Sequence, residues 1–280
     1  MSLTEAEKLE LKQINETIEK VKKDNLCYFF KPYKWQRDLL ELIRKKNTCA
    51  CLASNKIGKT CFGSNTVISW ALGYEPWSVV NADYPGAVKV GKLFYKPSSL
   101  GKPAPTKIRI VGLDWKEHIG DTIVPELKKW APAGMYTTKK NEQGVEHIWE
   151  WYNKSEFRIM CNSQDDMVFE SFICDGAWLD EPPEYNKYIG MSRGLFLRLG
   201  KMLFTLTPLK SAAWVLDEIV LSKRGDVGIL DKLDIRANED TYNDEVNKLK
   251  ELGLNANQSE KYFDLLLYEN KQKSIYVKLV

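Results

Sequence analysis

An apolar run, a short polar loop with a glycine and a second apolar segment follow one another between residues 48 and 72. The run 48–53 consists mostly of small and apolar residues and is typical of a buried parallel strand. Residues 59–72 carry apolar side chains at helical spacing, and the loop 54–58 joins the two segments. Because strand, loop and helix in this order build sheets covered by helices, the segment predicts an α/β fold.

The loop meets the phosphate-loop (Walker A) pattern G-x-x-x-x-G-K-[ST] everywhere except its first glycine, which is Ala53 here. In this pattern, backbone N–H groups cradle phosphate, and Gly58 lets the backbone approach it closely. Lys59 would reach the outer phosphates, and the Thr60 hydroxyl would ligate magnesium. The predicted nucleotide-binding residues of the segment are Ser54, Asn55, Lys56, Ile57, Gly58, Lys59 and Thr60. The alternative is a chance Gly-Lys-Thr on a surface turn, but the flanking strand and helix favour the phosphate loop.

An acidic pair ends a later strand candidate. A nucleotide hydrolase needs one carboxylate for the metal and another to orient or deprotonate water. In the run 177–181 Asp180 is the predicted magnesium ligand and Glu181 the predicted general base, and two prolines follow. One alternative takes 172–175 as the strand, although no acid follows Asp175. Another takes the pair as two solvated acids in a turn.

A third motif, Thr205-Leu206-Thr207-Pro208, ends another short apolar run. We expect Thr205 and Thr207 to face the nucleotide from the same edge of the sheet. Taken alone, the motif is equally typical of an ordinary strand terminus.

The rest of the chain alternates strand and helix patterns. Strands are predicted at 108–113, 148–152, 156–161, 172–179 and 202–206, and helices at 4–21, 35–44, 123–130, 212–221, 244–252 and 259–269. The segment 73–107 is predicted to form loops with one hairpin. The expected architecture is a P-loop NTPase with a mostly parallel central sheet flanked by helices.

Composition excludes several classes of protein. The 280 residues include no long apolar span or secretion signal, and the six cysteines form no C-x-x-C pair. We therefore expect a protein of a reducing cytoplasm without disulfides or structural zinc. The net charge is only +3, but positive charge is in local excess in one segment. The segment from Pro85 to Lys116 contains seven basic residues and one acidic residue. This stretch would contact a DNA backbone without reading its sequence, or else it is a solvated loop face.

Together, these motifs resemble the ATPase domain of phage terminase large subunits, the motors that pump DNA into viral capsids. The resemblance covers nearly the whole chain and implies an ASCE/RecA-like fold. In that family an aromatic-Gln element contacts adenine, and Tyr33-Lys34-Trp35-Gln36 is similar to it. The segment 162–170 resembles the family's approach to its acidic pair, and the motif at 205–208 resembles the one that couples hydrolysis to movement. The resemblance implies an ATPase domain at 1–235, with a helical appendage at 1–30, and a helical linker at 236–280.

Arginines mark a departure from the family. The arginine often found inside the family's phosphate loop is absent, and Lys56 is a candidate substitute. An arginine that neutralises charge on the transferred phosphoryl group is still expected. Arg193 and Arg198 are the in-chain candidates, while Arg109 and Arg158 are candidates for reaching a neighbouring subunit.

The resemblance also implies partners. These are double-stranded DNA, a portal protein, a small terminase subunit and further copies of the chain in a homo-oligomeric ring, acting at the procapsid in the host cytoplasm. The family's nuclease domain is not expected here, so the chain is expected to be a truncated or split form without nuclease activity. Two alternative functions are a helicase-like nucleic-acid-remodelling ATPase, which would want a second motor domain, and a non-motor P-loop phosphotransferase, which would not respond to DNA.

Overall fold

A computed structural model describes residues 5–81, 83–171, 173–207 and 213–233, together with residues 243, 246–248, 250–251 and 255. The predicted helix 259–269, most of the predicted linker 236–280, and Pro208 of the third motif lie outside the described residues. Among the described residues, no helix is long and apolar enough to cross a membrane.

The core of the protein is an eight-stranded sheet with the order β10-β1-β9-β8-β4-β7-β6-β5. Its strands are β1 (Thr48–Ala53), β4 (Lys107–Gly112), β5 (Tyr136–Lys140), β6 (Glu146–Trp151), β7 (Glu156–Cys161), β8 (Gly176–Asp180), β9 (Lys201–Leu206) and β10 (Val227–Leu233). The strands from β10 to β7 pair in parallel, whereas β6 and β5 add an antiparallel edge. A separate hairpin joins β2 (Val88–Val90) to β3 (Leu93–Tyr95), as predicted. The mostly parallel sheet predicted from the sequence is confirmed.

Helices cover both faces of this sheet. They are α1 (Glu5–Asp24), α2 (Lys34–Lys45), α3 (Lys59–Leu72), α4 (Pro76–Val79), α5 (Val124–Trp130), α6 (Asp166–Glu170), α7 (Tyr185–Phe196) and α8 (Ala213–Val215), with a 3₁₀ turn at Leu26–Phe29 and π-helices at Trp115–Ile123 and Leu216–Val220. One hydrophobic cluster includes α2, α3 and α5, and a second includes α6, α7 and α8. In β8, Trp178 belongs to the first cluster, and Ala177 and Leu179 belong to the second, because successive strand residues point to opposite faces.

Helix α3 lies unusually close to β8. A Cβ atom added to Gly63 would lie 2.1 Å from the indole of Trp178, so only a glycine fits at this point of the helix. The contact matters because α3 begins with the phosphate-loop lysine and threonine, while β8 ends with the first acid of the acidic pair. The sequence places both motifs on two elements that pack directly together.

Several elements differ from the sequence-based predictions. Strand β8 begins at Gly176 rather than at residue 172, so both strand assignments that included 172–175 were too early. The helix predicted at 123–130 is preceded by the π-helix Trp115–Ile123. Strands β5 and β10 and helix α7 were not predicted. In β5 only Tyr136 and Thr138 are partly buried, which explains its weak apolar pattern.

Candidate active site

The phosphate loop lies between the end of β1 and the start of α3. Two of its residues have left-handed backbone, Lys56 with φ 67° and Gly58 with φ 89°. Glycine adopts this conformation without a steric penalty, and Gly58 is the N-cap of α3. The loop therefore brings the free N–H groups of the first turn of α3 to the carboxyl edge of the sheet, where they can bind an anion.

Lys59 is almost buried within the curve of this loop, with 9% of its surface exposed. Its Nζ donates hydrogen bonds to the carbonyl oxygens of Ala53, at 3.0 Å, and Ser54, at 2.7 Å. Burial lowers the pKa of the Lys59 ammonium, and the nearby carboxylates of Glu181 and Asp180 act in the opposite direction. A cation held in this way is suited to bind phosphate groups.

Two threonine hydroxyls donate to the carboxylate of Asp180, the last residue of β8. Thr60 Oγ1 donates to Oδ2 at 3.2 Å, and Thr205 Oγ1 donates to Oδ1 at 2.6 Å. The Thr205 hydroxyl in turn accepts from Trp178 Nε1 at 2.8 Å, so its own proton is directed at the carboxylate. The predicted metal ligands Thr60 and Asp180 are thus brought together, with Thr205 beside them.

Glu181 follows in a left-handed conformation with φ 74°, which is uncommon for a residue with a side chain. Its N–H donates to Thr205 O at 3.1 Å, and its Oε1 accepts from the Thr207 N–H at 3.2 Å. Burial raises the pKa of the Glu181 carboxyl, while the hydrogen bonds from Thr207 lower it. A carboxyl with a raised pKa is a better base near neutral pH, and strained backbone of this kind concentrates at functional sites.

Strand order explains why the third motif belongs to the site. Strand β9 lies between β1 and β8, so Thr205 and Thr207 stand between the phosphate loop and the acidic pair. The Thr207 hydroxyl donates to Asn55 Oδ1 at 3.1 Å, and this bond links the motif to the loop. Three separate segments of the chain therefore meet at one edge of the sheet.

The predicted adenine-contacting element packs against the start of α3. Gln36 lies in the first turn of α2, next to Trp35. Trp35 packs on Phe62 of α3 with ring centroids 5.5 Å apart. Gln36 is buried, its Oε1 accepts from the Tyr33 N–H at 2.9 Å, and its Nε2 has no partner among the described residues. Because buried polar groups normally have a hydrogen-bond partner, this unpaired donor is a candidate to bind an acceptor atom of a ligand.

The structure does not bring the two in-chain arginine candidates to the phosphate loop. Arg198 Nε donates to Asp175 Oδ1 at 2.8 Å, and Asp175 lies just before the start of β8, at the opposite end of the strand from Asp180. Arg193 lies in the last turn of α7 and pairs with Glu170 on the surface. Because α7 runs back along β8, both arginines lie toward the amino edge of the sheet.

The two candidates for reaching a neighbouring subunit differ from each other. Arg109 is buried in β4 and pairs with Glu156 at 3.4 Å, so its guanidinium is not available to another chain. Arg158 also pairs with Glu156, at 2.9 Å, but 41% of its side chain remains exposed. Only Arg158 of the two stays accessible on the surface.

The basic stretch is partly structural. Three of its seven cations form internal ion pairs: Lys96 with Glu41, Lys102 with Asp175 and Arg109 with Glu156. The four exposed cations are Lys89, Lys92, Lys107 and Lys116. One of these lies in β2 and another in the turn that leads to β3, so the accessible positive charge is spread over separate elements.

One residue of the site was not predicted from the sequence. His118 Nε2 lies 3.2 Å from Asp180 Oδ2, and 17% of the His118 side chain is exposed. None of the sequence motifs pointed to this histidine. It follows β4, the parallel neighbour of β8, and that position after a buried strand is the signal that could have identified it.

Within the part of the chain that the structure describes, no group of three or more His, Cys, Asp and Glu side chains is arranged to hold a metal ion. The hydroxyl of Thr60 and the carboxylate of Asp180 nevertheless lie together and would supply two oxygen ligands. Magnesium in nucleotide sites usually takes only one or two protein oxygens and completes its shell with phosphates and water. The two residues present fit that type of site.

The fold resembles that of solved large terminases. No protein-family model matches the chain, and no curated protein matches it significantly. One crystal form of the large terminase from a thermophilic bacteriophage superposes with a TM-score of 0.52 at 13% identity, covering 83% of this chain and 50% of that chain. Another crystal form of the same terminase, in complex with ADP, gives a TM-score of 0.51 at 14% identity and covers 82% and 49%. The chain, which spans about half the length of this terminase, has a terminase-like P-loop NTPase fold.

Proposed function

We propose that this chain is the magnesium-dependent ATPase domain of a viral DNA-packaging motor, which hydrolyses ATP to translocate double-stranded DNA into a procapsid. One observation carries the proposal: Thr60 at the start of α3 and Asp180 at the end of β8 share a hydrogen bond, with Glu181 next in the chain. A phosphate loop, a metal-binding acid and an adjacent general base at one sheet edge are the parts that nucleotide hydrolysis requires. The terminase-like fold supports the motor function.

Each part of the reaction has a residue of this chain that is suited to it. The loop N–H groups and the Lys59 ammonium would hold the phosphates, and the Gln36 amide would donate to the base. Thr60 and Asp180 would hold magnesium, which would neutralise charge on the phosphates. The Glu181 carboxylate would orient a water molecule and accept its proton, because burial gives it a higher affinity for that proton.

The surroundings of Glu181 favour hydrolysis over transfer to a small molecule. Thr207 holds the Glu181 carboxylate through its backbone N–H, beside the loop residue Asn55. A general base fixed next to the phosphate loop is suited to water as the acceptor, whereas a phosphotransferase must exclude water. This arrangement favours an ATPase over a P-loop phosphotransferase.

We infer that the arginine of the site comes from a neighbouring subunit. Arg193 and Arg198 lie toward the other edge of the sheet, and the buried Arg109 is paired within its own chain. Arg158 is the candidate that remains accessible. A ring of subunits, assembled with a portal protein and a small terminase subunit on double-stranded DNA, would then complete each catalytic site.

The test is steady-state ATP hydrolysis with magnesium over a range of protein concentrations, with and without double-stranded DNA. We expect the specific activity to rise with protein concentration and with DNA, and to be lost in Glu181→Ala. The matched control is Glu184→Ala, because Glu184 is an exposed acid three residues away that pairs with Lys187. Activity that persists in Glu181→Ala would refute the general base. Activity that is indifferent to both DNA and concentration would refute the motor and favour a phosphotransferase.

A further inference from the structure

Both ring nitrogens of His118 have defined hydrogen-bond partners. Its Nδ1 lies 2.9 Å from the backbone nitrogen of Leu113, which is a donor, so Nδ1 must accept and carries no proton. The ring proton therefore sits on Nε2, which lies 3.2 Å from Asp180 Oδ2. The contact with Leu113 thus fixes the tautomer that donates to the acidic residue.

The backbone that carries His118 is also held in place. His118 lies in the π-helix Trp115–Ile123, whose N-cap Asp114 accepts hydrogen bonds through its side chain, including one from the His118 N–H at 3.2 Å. The Leu113 carbonyl accepts from the thiol of Cys161 at 3.3 Å. The π-helix is a rare form of helix, and where it occurs it often lies at a functional site. The ring is therefore presented to Asp180 from a fixed segment.

The two oxygens of Asp180 are bound from different sides. Thr205 donates to Oδ1, whereas His118 and Thr60 both donate to Oδ2. The torsion that rotates a carboxylate plane is soft, so hydrogen bonds rather than sterics set its orientation. Of the two donors to Oδ2, Thr60 is itself a predicted metal ligand, whereas His118 contacts the site through Asp180.

Building on the function proposed above, we propose that His118 is a positioning residue that orients the Asp180 carboxylate for the magnesium of the bound nucleotide. It would act through Asp180 and touch neither the nucleotide nor the attacking water. Residues that orient a metal ligand are worth about 10- to 100-fold in metal affinity or activity when they are removed. Losing the Nε2 donor should therefore weaken metal binding more than it weakens the binding of the nucleotide.

The experiment measures binding of Mn²⁺, as a paramagnetic substitute for Mg²⁺, by electron paramagnetic resonance in the presence of ADP. In His118→Asn, the shorter side chain keeps an oxygen to accept from Leu113 but has no donor that reaches Asp180. In His118→Gln, the amide N–H₂ can still donate to Asp180. The control is His147→Asn, because His147 packs edge-on against Trp115 of the same π-helix with centroids 6.2 Å apart.

We expect His118→Asn to raise the Mn²⁺ concentration at half-saturation about 10- to 100-fold. His118→Gln should restore most of the affinity, and His147→Asn should bind as the wild type does. Wild-type affinity in His118→Asn would overturn the proposal, as would equal weakness in His118→Gln, which would indicate a packing role. Asp180→Asn tests the proposed metal site separately from the role of His118. If this variant binds Mn²⁺ with ADP normally, the proposed metal site itself is wrong.

Discussion

Thr60 Oγ1 donates a hydrogen bond to Asp180 Oδ2 over 3.2 Å, although 120 positions separate the two residues in the chain. The contact depends on how closely α3 packs on β8, because Thr60 lies at the start of the helix and Asp180 ends the strand. The closest point of this packing is Gly63 against the Trp178 indole. The geometry of the site is therefore set by a glycine one turn along the helix.

Gly63→Ala should destabilise the protein and lower its ATPase activity. The added Cβ would lie 2.1 Å from a buried ring whose nitrogen is bonded to Thr205, so α3 must move away from β8. Overpacking of this kind typically costs about 1–3 kcal/mol, which exceeds the gain of roughly 1 kcal/mol from replacing a helical glycine by alanine. Urea unfolding measures the first effect, and steady-state hydrolysis measures the second.

The control for this substitution is Gly225→Ala, because a Cβ at Gly225 would meet none of the described atoms within 4 Å. We expect it to leave both stability and hydrolysis close to those of the wild type. A Gly63→Ala protein as stable and as active as Gly225→Ala would mean that α3 does not need this close approach to β8.

Lys59→Ala should weaken ATP binding by about 10- to 100-fold, because hydrogen bonds to a charged group contribute roughly 1.5–3 kcal/mol. Its ammonium is held by the carbonyls of Ala53 and Ser54 and is directed into the loop. Titration calorimetry with ATP and magnesium measures the change. Lys92→Ala is the matched control, since Lys92 is an exposed lysine on the β2–β3 hairpin. Equal affinities for ATP in the two variants would show that the loop does not bind phosphate.

The parts of the site that are continuous in sequence could be predicted from it. Strand β1 and helix α3 have the predicted bounds, 48–53 and 59–72, since the loop motif between them fixes where one ends and the other begins. Asp180 ends a buried strand, and Glu181 follows it just before two prolines, so the position of both acids at the sheet edge could also be predicted. The local sequence is sufficient to predict a part of the site when one motif and the elements beside it determine the geometry of that part.

Contacts between distant segments could not be predicted. His118 contacts Asp180, 62 residues away in the chain, because β4 is the neighbour of β8. The local sequence of the two segments does not determine this strand order. Arg198 lies between two site motifs in the chain, but α7 reverses direction and carries it away from them. Lys96 contributed to an apparent DNA-binding stretch, yet it pairs with Glu41, 55 residues earlier. In each case, tertiary packing decides what the side chain contacts.

Gln36→Glu should weaken binding of ATP more than binding of inorganic triphosphate. A glutamate keeps the oxygen that accepts from the Tyr33 N–H, and this residue type is favoured at the third position of a helix. The substitution removes the buried Nε2 donor of Gln36. Loss of a hydrogen bond from this donor to the base should cost about 1 kcal/mol or more of binding free energy, which lowers the affinity roughly fivefold or more. Competition against a fluorescent nucleotide compares the two ligands.

Inorganic triphosphate is the internal control, because it lacks a base but carries the same phosphates. Gln143→Glu is the control variant, since Gln143 is exposed in the turn between β5 and β6. Equal losses for both ligands in Gln36→Glu would point to charge repulsion and would refute the contact with adenine.

Glu181→Gln should stabilise the protein, and the gain should grow as the pH rises. Burial raises the pKa of the folded-state carboxyl above its ordinary value of 4.5, so the folded protein holds this proton more tightly than the unfolded chain does. The stabilisation from the protonated form is present below about pH 4.5 and is lost as the pH rises through the folded pKa. Glutamine resembles the protonated acid and does not titrate, so the variant avoids that loss.

Urea unfolding of the wild type and Glu181→Gln at pH 4 and pH 8 measures the difference in unfolding free energy. We expect a larger advantage of the variant at pH 8, together with a fall in hydrolysis of about 10²- to 10⁴-fold, the usual contribution of a general base. The exposed Glu142, which lies in the β5–β6 turn, provides the control variant Glu142→Gln, whose stability should follow that of the wild type at both pH values. A stability advantage for Glu181→Gln that did not change with pH would mean that the carboxyl ionises equally in both states.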